Sequence, residues 1–186
     1  MFIQTEQTPN PATIKFIPGQ PVMPRGNAEF KEVSHAALSP LAQRLFKIDG
    51  VTSVFLAADF VSVTRSSGSD WAFLKPQVLA AIMEHYLSGL PVVEEQNLSG
   101  AEIGDGVESE IVKQIRELLD TRVRPAVARD GGDIDFVKFE DGIVWLRMKG
   151  ACAGCPSSTM TLKLGIENML RHFVPEVKAV EPYNDL

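Results

Sequence analysis

The chain has 186 residues, a formal net charge of −6, 45% hydrophobic and 23% charged residues, an ordinary globular composition. That length suits one large or two small domains, each able to bury a modest core. The acidic balance speaks against a nucleic-acid binder, since Arg122, Arg124 and Arg129 are interleaved with Asp120, Asp130 and Asp133, and no apolar run has the length of a membrane span.

Thr13–Ile17 alternates and is closed by Pro18-Gly19, which predicts a short strand and turn, with Pro9 and Pro11 keeping its lead-in extended. Residues 19–30 carry Pro21, Pro24 and Gly26 and read as a loop, with a short strand toward Phe30. Ser39-Pro40 predicts a helix cap and first turn, Leu41, Leu45 and Ile48 recur at helical spacing, and Gly50 stands where a C-terminal cap belongs. Val51–Leu56 and Phe60–Thr64 form a hairpin pattern. Asp70 then caps a helix with Leu79, Ile82, Met83 and Tyr86 as its apolar stripe, and Pro76 marks its first turn or a kink.

From Pro91 to Gly106 the composition turns acidic and glycine-rich, with no Lys or Arg, as in a flexible linker. Asp105-Gly106-Val107-Glu108 is a capping-box pattern, and Ile111, Ile115, Leu118 and Leu119 give the next helix its buried face until Pro125 ends or kinks it. Asp141-Gly142 between two β-type runs predicts a two-residue hairpin. That register sets Phe139 against Val144 and Val137 against Leu146 on the core side, and leaves Lys138, Trp145 and Phe136 on the other. A last helix carries Leu162, Ile166, Met169, Leu170 and Phe173, stops at Pro175, and is followed by a short strand within 176–181. The expected fold class is α/β of the α+β kind. Two small domains, 1–88 and 107–186, each pack a small, mostly antiparallel sheet with helices, and the flexible acidic linker 89–106 joins them.

The only cysteines, Cys152 and Cys155, lie in Gly150-Ala151-Cys152-Ala153-Gly154-Cys155-Pro156, between a strand and a helix N-terminus. The free N–H groups and dipole of that terminus lower the pKa of Cys155 and favour thiolate, which is both a metal ligand and a nucleophile. The small residues around it leave room for a metal centre. A tetrahedral zinc site or an iron–sulfur cluster normally takes four ligands, and one chain supplies two. His172 is seventeen residues up the helix from Cys155, roughly 25 Å away, and His35 and His85 belong to the first domain. Two copies around a two-fold axis complete a four-sulfur site, which suits zinc or Fe–S. A thiol–disulfide oxidoreductase and a structural zinc-bridged dimer remain the alternatives. Asp130-Gly131-Gly132-Asp133 has too few ligand positions for a calcium loop and reads as a tight turn.

Arg124-Pro125, Asp130-Gly131-Gly132-Asp133, Gly150 to Ser158, Thr161-Leu162-Lys163 and Pro175-Glu176-Val177 together resemble the NifU-like (Nfu-type) C-terminal domain. Thr8-Pro9-Asn10-Pro11, Lys15-Phe16, Ser53-Val54-Phe55, Asp70-Trp71 and Leu74-Lys75-Pro76 resemble the N-terminal domain of the same family. The resemblance implies an iron–sulfur cluster scaffold or carrier, not an enzyme. It implies that Cys152 and Cys155 of two protomers hold one [4Fe-4S] cluster, expected on an exposed turn, and that the homodimer passes it to apo iron–sulfur target proteins. An upstream scaffold or donor supplies the cluster, and neither nucleic acid nor membrane is a partner. With no leader pattern in residues 1–10, a bacterial cytoplasm is expected, or the mitochondrial matrix if a presequence has been trimmed.

Overall fold

The computed structural model describes residues 2–94, 109–154 and 156–183. The chain divides into two compact units. Each is a small, mostly antiparallel sheet packed with helices, as the sequence predicts.

In the first unit, strands β1 (Gln4–Gln7), β2 (Thr13–Ile17), β3 (Ala28–Phe30), β4 (Val51–Leu56) and β5 (Val61–Arg65) lie in the order β1-β2-β5-β4-β3, every pair antiparallel. Ile14, Phe16, Val54, Leu56, Val61 and Val63 form one buried layer with residues of helices α1 (Pro40–Phe46) and α2 (Trp71–Ser88). The Pro9–Pro11 stretch is the turn of a β1–β2 hairpin and not an extended lead-in: Thr13 N donates to Asn10 O, and Asn10 Oδ1 accepts from Ala12 N. β1 is entirely polar (QTEQ), so alternation gave no sign of it; an edge strand bonded on one side tolerates such a sequence.

Ser39 caps α1, its hydroxyl accepting from Ala42 N at 3.0 Å, with Pro40 in the first turn. The helix ends at Phe46, before Gly50. Gly50 instead opens β4 at φ 98°, and the side chain of Ser69 sits where its Cβ would be. α2 is capped by Asp70 and runs through Pro76. Its buried line is Leu74, Val78, Ala81, Ile82 and His85; Met83 is exposed and Leu79 and Tyr86 lie at the margins. Past Gly89, the start of the expected linker is tied down. Val92 and Val93 pack against the core, Ser39 Oγ donates to Val92 O at 2.6 Å, and Glu94 N donates to Leu38 O at 2.9 Å.

In the second unit, α3 (Glu110–Leu118) is capped by Ser109, whose hydroxyl accepts from Val112 N. The expected capping box, Asp105 to Glu108, and the rest of the acidic linker lie outside the described residues. Pro125 neither ends nor kinks away the helix. A π-helical segment, Leu119–Val123, resets the ladder with a bond from Arg124 N to Leu119 O, and Pro125 falls in the first turn of α4 (Arg124–Arg129), where a missing donor costs least. Ile115, Leu119, Val123 and Val127 thereby stay on one buried face.

β6 (Gly132–Glu140) and β7 (Ile143–Gly150) pair antiparallel around Asp141-Gly142, both at positive φ, and β8 (Ala179–Pro182) adds to β7 in parallel after the crossover helix α5 (Pro156–Phe173). Phe139 opposes Val144 and Lys138 opposes Trp145, as predicted. Val137 does not oppose Leu146: the register shifts between Phe136 and Lys138, and Phe136 takes that place. This bulge moves Phe136 to the core side, where it packs at the margin under the Arg116 guanidinium. Ile134, Val144, Leu146 and Met148 meet Ile166, Leu170 and Val174 to close the core.

Candidate functional site

β6 and β7 start and finish together, with Gly132 paired to Gly150, so the Asp130–Asp133 turn lies directly beneath the cysteine turn. Ala151 N donates to Gly131 O at 3.1 Å and Ala153 N to Gly150 O at 3.1 Å. Thr159 Oγ1, in the first turns of α5, donates to Cys152 O at 3.2 Å. Gly150 (φ 62°) and Gly154 (φ 77°) flank Cys152 in a conformation that a side-chain-bearing residue adopts only under strain.

Cys152 is not on an exposed turn. It is 6% exposed and belongs to the apolar core of the unit. A Cβ at position 132 would lie 2.5 Å from Cys152 Sγ, 2.7 Å from Lys149 O and 2.9 Å from Cys152 N. Gly132 is thus the seat of the thiol. Burial, followed by the nearby charges of Asp130 and Asp133, pushes the Cys152 thiol up to about 12, so it is protonated at neutral pH. Cys155, the second predicted ligand, lies outside the described residues, as does the expectation of its lowered pKa.

Around the seat, Arg124 reaches Asp120 at 3.3 Å, Asp133 at 3.6 Å and Asp135 at 3.4 Å, and Lys149 reaches Asp135 at 2.5 Å. Asp133 Oδ1 also accepts from Ile134 N at 2.8 Å, while burial raises its pKa above the ordinary carboxylate range. Among the described residues no three His, Cys, Asp or Glu side chains converge as a metal site. The Asp-Gly-Gly-Asp turn is therefore the floor beneath Cys152, with Asp133 paired to Arg124. His172 stacks edge-on with Phe173 at the far end of α5, and His35 and His85 lie in the first unit. Sequence reasoning missed Gly132 and Thr159. The paired glycines between two aspartates were visible, but nothing local showed that β7 would bring a sulfur over one of them.

Cys152 thus lies at the joint of a hairpin and a helix, in a two-unit α+β chain. A family profile described as "Scaffold protein Nfu/NifU N terminal" matches residues 3–89, and one described as "NifU-like domain" matches residues 115–181. The chain belongs to the Nfu/NifU family. It is 51% identical over 186 residues to the human "NFU1 iron-sulfur cluster scaffold homolog, mitochondrial", covering all of this chain and 73% of that protein. It is 53% identical to "NifU-like protein 4, mitochondrial" of Arabidopsis thaliana, covering 97% of this chain and 65% of that one. The chain thus spans roughly two thirds to three quarters of these relatives. A solution structure of a NifU-like protein from Saccharomyces cerevisiae aligns with a TM-score of 0.47 at 22% identity, over 52% of this chain and 87% of that one. Both relatives are named as mitochondrial, and neither name supports the bacterial cytoplasm.

Proposed function

We propose that the chain is an iron–sulfur cluster scaffold and carrier, in which Cys152 and Cys155 from each of two copies hold one [4Fe-4S] cluster as cargo for delivery to apo-proteins. The observation that carries this is the ligand count: the sequence holds two thiols, both in this turn, and among the described residues no three His, Cys, Asp or Glu side chains group as a metal site. Family membership and relatives named as iron–sulfur cluster scaffolds support the same reading.

Chemically, the cluster-free chain keeps Cys152 protonated over Gly132. Loading requires the sulfur to leave that seat and lose its proton, and the positive-φ glycines on either side are joints for such a turn. Delivery is ligand exchange: an acceptor thiolate replaces one protomer thiolate at a time, and parting of the two copies removes half the ligands. No bond is made or broken in an acceptor beyond ligation, so the role is that of a carrier and not a catalyst. Residues 1–88, with the packed stretch through Glu94, serve recognition of donor or acceptor, the rest of the expected linker up to 106 is the tether, and 107–186 carry the cargo.

Disulfide exchange through the same CxxC needs an exposed, low-pKa attacking thiolate, which Cys152 as seated is not. Anaerobic reconstitution with ferrous iron and sulfide tests the reading. The expected product carries about four iron and four sulfide per two chains, with the charge-transfer absorption of a thiolate-bound cluster. Cys152→Ala and Cys155→Ala each lose it. Equal uptake by the variants, or insulin-type disulfide reduction without cluster uptake, contradicts it.

A further inference from the structure

In the cluster-free chain Cys152 is held by its sulfur, by the residue before it and by its own carbonyl. Its Sγ and its backbone nitrogen both sit over Gly132, at 2.5 Å and 2.9 Å from where a Cβ there would stand. Ahead of it, Ala151 N donates to Gly131 O at 3.1 Å. Behind it, Thr159 Oγ1 donates to Cys152 O at 3.2 Å. The first two contacts belong to the β6–β7 hairpin and its neighbouring turn. The third crosses to α5, and it is the unusual one. A helical threonine ordinarily turns its hydroxyl back onto a carbonyl of its own helix, three or four residues earlier. Thr159 instead reaches seven residues back, to a carbonyl outside α5.

That carbonyl lies on the path by which the thiol becomes available. Cys152 is 6% exposed and Ala151 is 2% exposed, so the backbone of the turn is sunk in the core together with the sulfur. Side-chain rotation alone leaves Cys152 in place, because its nitrogen is seated on Gly132 as well. Bringing the sulfur to the surface therefore lifts the Cys152 peptide about Gly150 and Gly154, the flanking residues at φ 62° and 77°. The same motion draws the Cys152 carbonyl off Thr159.

We propose that Thr159 is a positioning residue for cluster binding: its hydroxyl latches the Cys152 carbonyl in the closed, cargo-free turn, and a cluster is taken up with that latch open. The inference rests on the two-thiol reading above and adds the residue that sets how readily one of those thiols is presented. The latch acts in both directions. It opposes loading by the worth of one hydrogen bond. The same bond re-forms when cargo leaves, which withdraws Cys152 from re-ligation and favours hand-over to an acceptor thiolate. A turn without the latch holds its cargo longer.

The test separates the hydroxyl from the rest of the side chain. Thr159→Val keeps the branched shape and loses the donor, and Thr159→Ser keeps the donor. In the full, cluster-free chain, N-ethylmaleimide labelling of each cysteine is followed by peptide mass spectrometry, with the rates in denaturant as reference. Thr159→Val is expected to label Cys152 roughly three- to tenfold faster than wild type with Cys155 unchanged, while Thr159→Ser stays within about twofold of wild type. Chains loaded anaerobically with ferrous iron and sulfide are then challenged with excess EDTA, and the visible absorption of Thr159→Val bleaches roughly three- to tenfold more slowly than that of wild type. Unchanged Cys152 labelling in Thr159→Val overturns the latch. So does equal acceleration at both cysteines, which marks a frayed start of α5, and so does Thr159→Ser labelling as fast as Thr159→Val. Bleaching of Thr159→Val no slower than wild type overturns it as well, because the bond then persists in the loaded turn. If wild type takes up no cluster, the proposed function fails, and the labelling rates still decide the latch.

Discussion

At position 132 a single hydrogen atom decides whether Cys152 is stored or displaced. Gly132→Ala places a methyl group against Cys152 Sγ and two backbone atoms, an overpacking expected to cost about 1–3 kcal/mol of the second unit's stability. The sulfur is the part best able to yield. Urea unfolding should show the loss, and alkylation of the native, cluster-free variant should label Cys152 faster than in wild type; unchanged labelling would contradict the seat. The proton on Cys152 gives a second handle. Its folded pKa of about 12 stands above the ordinary value of 9.0, so the unfolded chain releases the proton first. Stability is full below about pH 9 and falls as pH rises toward 12, by at most about 1.4 kcal/mol per pH unit from this group. Cys152→Ala should therefore show a shallower loss between pH 8 and 10.5 in urea titrations of the second unit.

Among the elements, the legible ones had their determinants nearby. Ser39-Pro40, Asp70 and Asp141-Gly142 are local chemistry, and each cap or turn stands where its residues direct. The bulge at Val137, the π-segment before Pro125 and the polar edge strand β1 were illegible because a neighbouring strand or a packed core determines them. The burial of Cys152 belongs with these, since it depends on a glycine twenty residues earlier. Ser39 shows a local cap acquiring a second role: its hydroxyl accepts from Ala42 N and donates to Val92 O. Ser39→Ala should cost about 1–2 kcal/mol and speed amide exchange at Glu94, whose N–H is bonded to Leu38 O; a change confined to α1 would contradict the second role. On α2, His85 is fully enclosed with neither ring nitrogen hydrogen-bonded. Burial, then the charge of Arg44, lowers its pKa below 6.5. Its contribution is therefore intact above pH 6.5 and lost as pH falls toward the folded value. His85→Leu should flatten the decline in melting temperature of the first unit between pH 7 and 5, and a parallel decline would contradict this.

For the whole molecule, each unit has its own sheet, helices and core, and each matches its own family profile. If cargo binding resides in 107–186, that fragment alone takes up iron and sulfide in the same ratio as the full chain. In the proposed function one chain carries half a site and two chains share one cluster. Iron and sulfide content, measured with the native mass of the same anaerobically loaded sample, decides between shared and single-chain sites. The expected species has two 20.4 kDa chains with about four iron and four sulfide. A full cluster on a single chain, or a two-chain species holding zinc and no sulfide, would contradict it.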